Sequence, residues 1–278
     1  MTDKRTVGHA ANIDATVLAT HPELAVLTLD LPDSDGEPME NERDRLQMNL
    51  ILDVLDHCWK DRQDFYAAGN MFLYYCSEQA RQIIDEVAEP SRPRRAFRGP
   101  DVFIVLNVDG TIRRRKWVVW EEGGRYPDVI FEFLSPSTRQ ADRTTKKALY
   151  ERVFRTPEYY WFDPYDLREL QAWHLGVGGI YQAVTSDDRG WLWSPALHLW
   201  IGRWEGTYKR DPATWLRFYD PEGQLVLTSD EEAAQQAAAE RARADAERTR
   251  AEAAEAEVAR LRAELARLRG ERGTIHHP

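Results

Sequence analysis

The sequence predicts an α/β or α+β domain with a three-layer core, extended at its C-terminal end by one long helix. Three observations carry this. Strand-sized apolar runs, above all residues 129–134, recur between stretches of helical periodicity through most of the chain. The run 129–134 is apolar on both faces, as a central strand covered by two layers should be. From Ser229 to Arg272 the composition then collapses onto Ala, Glu, Arg, Leu, Gln and Asp, with no Pro and no Gly before Gly270.

Four segments are expected: an irregular acidic stretch over residues 1–40, a folded domain over 41–228, a helix over 229–272 and a disordered tail over 273–278. The first helix is predicted over about residues 40–61, where Leu46, Met48, Leu50, Ile51, Leu52, Val54, Leu55 and Trp59 make a broad apolar face. Residues 65–68 and 71–76 read as a hairpin or a bent strand pair about Gly69-Asn70, and 101–108 as a strand closed by Asp109-Gly110. Further strands are predicted at 116–120 and 128–135, followed by a helix over 142–154. Strands at 158–163, 170–174 and 180–184 come next. A last pair, 216–219 with 224–227, is expected to meet across the turn Asp220-Pro221-Glu222-Gly223. The tryptophans of residues 191–215 suit packing in a core or at a sheet edge better than stacking on bases.

In the tail, Ala251, Val258 and Leu265 occupy a positions of a heptad, and Ala254, Leu261 and Leu268 occupy d positions. Glu257 and Glu264 then fall at g, with Arg262 and Arg269 at the following e positions, the pattern that pairs charges across a parallel two-stranded coil. A coiled-coil homodimer is the expected assembly.

Composition excludes several classes. With 278 residues, 42 % hydrophobic and 11 % aromatic, the chain can bury a real core. Cys58 and Cys76 are too few for a disulfide scaffold and lack metal-binding spacing; they are expected to be unpaired and buried, in a reducing compartment. No apolar run approaches the ~20 residues that a membrane span needs, so a cytoplasmic protein with no membrane partner is expected. A net charge of -10 argues against binding nucleic acid over the whole surface, while leaving room for a local basic patch.

The chemistry concentrates around Glu132, a carboxylate in the middle of the most apolar strand. Such a group is strongly destabilising unless it is paired or bound to a cation. Asp128 lies on the same face, some ~13 Å away along the strand, and ranks below it. A second acid, Asp101, stands at the entrance of another apolar strand, in Gly99-Pro100-Asp101-Val102. The helix after Glu132 puts Asp142, Lys146 and Tyr150 on one stripe, which could face these acids. Two carboxylates suffice for a hard cation such as Mg²⁺ or Mn²⁺. A lysine beside them suits orienting a water or offsetting charge in phosphodiester hydrolysis.

Pro100-Asp101, the segment Pro127-Asp128-Val129-Ile130-Phe131-Glu132-Phe133-Leu134-Ser135-Pro136-Ser137-Thr138, then Asp142, Lys146, Tyr150 and residues 157–164 resemble the Uma-type restriction endonucleases, a branch of the PD-(D/E)XK nuclease superfamily. The resemblance spans about residues 40–185. It implies a restriction-endonuclease-like core, a mixed central sheet flanked by helices, and Mg²⁺-dependent cleavage of duplex DNA. It also implies that Asp101 and Glu132 are metal ligands and that Lys146 is the catalytic lysine moved onto a helix, since Leu134 stands where the superfamily pattern has Lys. The N-terminal motif acid is left open among Glu37, Glu40 and Glu42. Arg92, Arg94, Arg95 and Arg98, before Asp101, and the run 113–116 are candidates for phosphate contacts, though a solvated loop explains the latter as well. No histidine is assigned a catalytic role. The rival readings are a non-cleaving module that keeps this fold and binds nucleic acid or protein, and a phosphohydrolase acting on small nucleotides.

Overall fold

The computed structural model describes residues 29–34, 41–89, 91, 96–135, 140, 142–166 and 169–273. The chain forms two compact units, Met1–Val226 and Leu227–Pro278. The first is mixed α and β, as predicted.

Helix α1 (Glu42–Cys58) starts at Asn41, whose side chain accepts the Asp44 amide at 2.8 Å and so satisfies one of the free N–H groups of the first turn. Its apolar face is Leu46, Leu50, Ile51, Val54 and Leu55, all buried. Strand β1 (Phe65–Gly69) follows, then β2 (Leu73–Tyr74). These two do not form a hairpin, because β1 pairs with β3 while β2 pairs in parallel with β4 in a separate ribbon. Neither the hairpin nor the bent strand pair expected over residues 65–76 forms; the two strands belong to different sheets. Helix α2 (Ser77–Ala88) was not expected from the sequence; its cap residue, Cys76, offers no side-chain hydrogen bond and so no start signal.

Strands β3 (Val102–Leu106), β4 (Trp117–Val118) and β5 (Val129–Phe133) lead into helix α3, which runs in three pieces: π-helical Asp142–Lys146, α-helical Lys147–Leu149 and π-helical Tyr150–Phe154. Arg155, in the left-handed region at φ 53°, ends it before Pro157. Then come β6 (Glu158–Phe162), β7 (Leu170–Leu175) and β8 (Tyr181–Ala183).

The main sheet has the order β1-β3-β5-β6-β7-β8. Only β5 and β6 are parallel, and α3 is the crossover between them. All five residues of β5 are buried. Val129, Phe131 and Phe133 pack with α1, whereas Ile130 packs with Tyr150 and Phe154 of α3. The two faces of one strand thus belong to two different cores.

Strands β9 (Leu192–Ser194), β10 (Leu199–Tyr208) and β11 (Asp211–Tyr219) form a second, antiparallel sheet. Gln47 of α1 holds β11 through both backbone groups of Leu216, at 2.7 and 3.0 Å. The expected pairing across residues 220–223 is reduced to one bridge between Tyr219 and Leu225. The tryptophans serve packing: Trp215 is fully buried and Trp191 stacks on Tyr219. Both cysteines are free; Cys58 is exposed at the end of α1, contrary to the expectation of a buried thiol.

In the second unit, helix α4 (Ser229–Gly273) begins with a capping box. Thr228 Oγ1 accepts the Glu231 amide, and Glu231 accepts the Thr228 amide. Val258, Leu261, Leu265 and Leu268 are about half exposed along it. Of the expected segments 1–40 and 273–278, residues 1–28, 35–40 and 274–278 lie outside the described residues, while Gly273 still belongs to the helix; none of the described helices is long and apolar enough to cross a membrane.

Candidate active site

Glu132 has no exposed surface. Lys146 Nζ donates to its Oε2 at 2.9 Å and the Tyr150 hydroxyl donates to its Oε1 at 2.5 Å. Both donors come from α3, four residues apart, where the helix passes from one wide π turn through a single α turn into the next. That helix is laid on the sheet by further cations: Lys147 Nζ sits 4.2 Å from the Trp173 ring, and the Arg143 guanidinium 5.4 Å from Trp161, the neighbour of Glu132 across β5 and β6.

Asp101 stands just before β3. The β3–β5 ladder pairs Val102 with Phe131 and Phe103 with Ile130, so continuing the register sets Asp101 opposite Glu132. Asp101 Oδ2 accepts the Phe133 amide at 2.6 Å. Burial pushes the Glu132 carboxyl up from 4.5 to about 7, and the negative charge of Asp101 pushes the same way; Lys146 and the Tyr150 hydroxyl oppose them. Asp101, Glu132, Lys146 and Tyr150 are therefore assembled in one place. Two carboxylates, hard oxygen donors that feel each other's charge, fit a small divalent cation with waters completing its shell.

The other sequence candidates are placed elsewhere. The Asp128 carboxylate is spent on the Leu106 amide at 2.7 Å, with Arg125 at 3.6 Å, and burial raises its pKa. Glu42 is exposed on the first turn of α1, against Arg45, on a helix that packs on the opposite face of the sheet from Glu132. Asp142 opens α3. Arg98 bonds Glu86 at 3.0 Å and the Ala96 carbonyl, so its guanidinium serves α2. In the run 113–116, Arg114 pairs with Glu122, Arg115 with Asp33 and Lys116 with the Leu31 carbonyl. Glu37, Glu40, Arg92, Arg94 and Arg95 lie outside the described residues. Among the described residues no cluster of three or more His, Cys, Asp or Glu could hold a metal, so no third acid joins Asp101 and Glu132.

Sequence reasoning missed the support of Asp101. Gln79 of α2 donates to the carbonyls of Leu73 and Phe97, Glu86 accepts the Ala96 amide, and Leu73 donates to the Arg98 carbonyl. Gly99 passes so near the neighbouring chain that a Cβ there would lie 2.1 Å from the Met71 carbonyl oxygen. The glycine before Pro100-Asp101 was the one visible signal.

A family model described as "Putative restriction endonuclease", Uma2, matches residues 34–204, more than half of the chain. The chain is a member of the Uma2 family. The match extends past both ends of the segment whose motifs suggested the family. A solved structure titled as a "putative nuclease belonging to DUF820", from Anabaena variabilis, is similar over 60 % of this Uma2 chain and 86 % of its own, with 12 % identity and a TM-score of 0.39. No curated protein matches. Family membership supports a nuclease function in general, and the acids and lysine that carried the resemblance are those gathered where α3 and the start of β3 meet β5.

Proposed function

We propose that this Uma2 protein is a cytoplasmic, Mg²⁺- or Mn²⁺-dependent endonuclease that hydrolyses phosphodiester bonds of duplex DNA. The observation that carries the reading is Glu132, wholly buried in the central strand yet opposite Asp101 and in contact with the Lys146 ammonium. The Lys146 ammonium offsets the buried charge, and the second carboxylate placed opposite it, which raises the cost of ionising both, supports a cation-binding role. A bound divalent ion would polarise the phosphoryl oxygen and acidify a coordinated water. Asp101 and Glu132 would hold it, and the Phe133 amide fixes the Asp101 carboxylate in place. Lys146 orients the attacking water or offsets the charge that builds on phosphorus as the new P–O bond forms and the scissile one breaks. Arg94 and Arg95 are the proposed phosphate contacts.

The domain over 41–228 would cleave and the helix over 229–272 would pair two copies, one site for each strand of a duplex. Wild-type charges favour the parallel pairing, which sets Glu257 and Glu264 against Arg262 and Arg269 of a second copy; antiparallel pairing would oppose like charges. Incubating the protein with supercoiled plasmid and Mg²⁺ tests the activity. Nicking or linearisation is expected, and Glu132→Ala should abolish it while the circular dichroism stays that of the wild type. Equal cutting by that variant overturns the assignment.

A further inference from the structure

The two oxygens of Glu132 are held by groups of very different freedom. Tyr150 is fully buried, its ring 5.4 Å from that of Phe154, 5.2 Å from Tyr159 and 6.0 Å from Phe97. Its hydroxyl cannot leave Oε1 without the ring leaving a packed aromatic cluster. Lys146 ends a flexible four-carbon stem, and 22 % of its side chain is exposed. Its ammonium can leave Oε2 without any ring leaving the core.

A buried carboxylate with no positive neighbour is strongly disfavoured, so before any metal binds something must neutralise Glu132. Among the described residues, Lys146 is the cation that touches it. A divalent ion shared with Asp101 needs an oxygen of Glu132, and the oxygen whose partner can give way is Oε2.

We propose that Lys146 is a placeholder cation: its ammonium occupies Glu132 Oε2 until a divalent ion binds there with Asp101, and binding releases Nζ toward solvent, where a substrate phosphate would meet it. Tyr150 stays on Oε1 throughout as the positioning residue that keeps the carboxylate turned toward Asp101. This rests on the metal-dependent reading and adds an exchange step to it. No covalent bond changes; one charge-assisted contact is swapped for another. The lysine thereby performs two tasks in succession.

The full-length protein at pH 8.5 is pulsed with an amine-acetylating reagent, with and without saturating Mg²⁺, and acetylation of Lys146 is read by mass spectrometry against the exposed Lys60. Loss of a charge-assisted contact should raise the Lys146 labelling rate by roughly tenfold when Mg²⁺ is present. In parallel, Lys146→Met should lower the Mg²⁺ concentration that gives half-maximal thermal stabilisation, since the competitor is gone. Mg²⁺ stabilisation with Lys146 equally protected, or an unchanged or higher half-maximal concentration in the variant, overturns the exchange and leaves the metal site standing. No Mg²⁺ stabilisation of the wild type overturns the metal reading and the exchange together.

Discussion

Asp101 accepts the backbone amide of Phe133, the residue that follows Glu132, at 2.6 Å. The two motif acids, 31 positions apart in the sequence, are thereby locked together through the chain itself, before any shared ion is considered. Asp101→Asn keeps an oxygen for that amide but removes the charge. Since the Asp101 charge helps to raise the Glu132 carboxyl, the variant should titrate Glu132 at lower pH than the wild type, followed by carboxyl carbon NMR. A midpoint that does not move would mean that the two acids do not sense each other.

The same carboxyl gives the stability a definite pH dependence. Folding raises the Glu132 pKa from 4.5 to about 7, so between those values the native state binds a proton that the unfolded chain has released. The resulting stabilisation is complete below 4.5 and is lost as pH climbs through 7. At 1.36 kcal/mol per pH unit across that window it amounts to about 3 kcal/mol. Denaturant unfolding of metal-free protein should therefore show stability falling from pH 5 to pH 8, and Glu132→Gln should flatten that slope. A parallel decline in both proteins would assign it to other groups.

Gly99 is where the scaffold of Asp101 is most easily disturbed. Gly99→Ala drives a Cβ into the Met71 carbonyl, a backbone atom that has no rotamer to escape with. Overpacking of this kind typically costs about 1–3 kcal/mol. The loop must shift and carry Asp101 with it, so cleavage should fall by more than the lowered melting temperature explains. Measured below the transition, full activity in a destabilised Gly99→Ala would separate the loop from the site.

Much of this was legible beforehand. Glu132 stood out because a charge inside a two-faced apolar strand contradicts its surroundings, and the i, i+4 relation of Lys146 and Tyr150 survives the passage through π-helical turns. The register that brings Asp101 opposite Glu132 was not legible, since pairing between strands joined by a long connection is set by packing across the whole sheet. Helix α2 stayed hidden for want of a capping side chain at Cys76. Strand β10 stayed hidden because Gly202 and Gly206 interrupt its pattern; Gly202 is there to admit the Trp191 ring, which a Cβ would meet at 2.3 Å. Arg98 looked like a phosphate contact because its partner Glu86 lies on that hidden helix.

The tail offers a test that depends on no catalytic assumption. Val258, Leu261, Leu265 and Leu268 leave about half their surface in water in the single chain, an arrangement that pairing of two helices would relieve. Leu261→Asp with Leu265→Asp should convert a dimer to a monomer in sedimentation equilibrium without altering the circular dichroism of the remaining domain. Orientation can be read separately. Ala254 falls at a d position, so in a parallel, in-register pair an Ala254→Cys variant, with Cys58→Ser to remove the exposed native thiol, should oxidise to a covalent dimer. In an antiparallel pair the two introduced thiols would lie far apart and the chain would stay uncrosslinked. A wild-type monomer at all accessible concentrations would instead make the tail a solitary helix and remove the two-site arrangement from the proposed cleavage of duplex DNA.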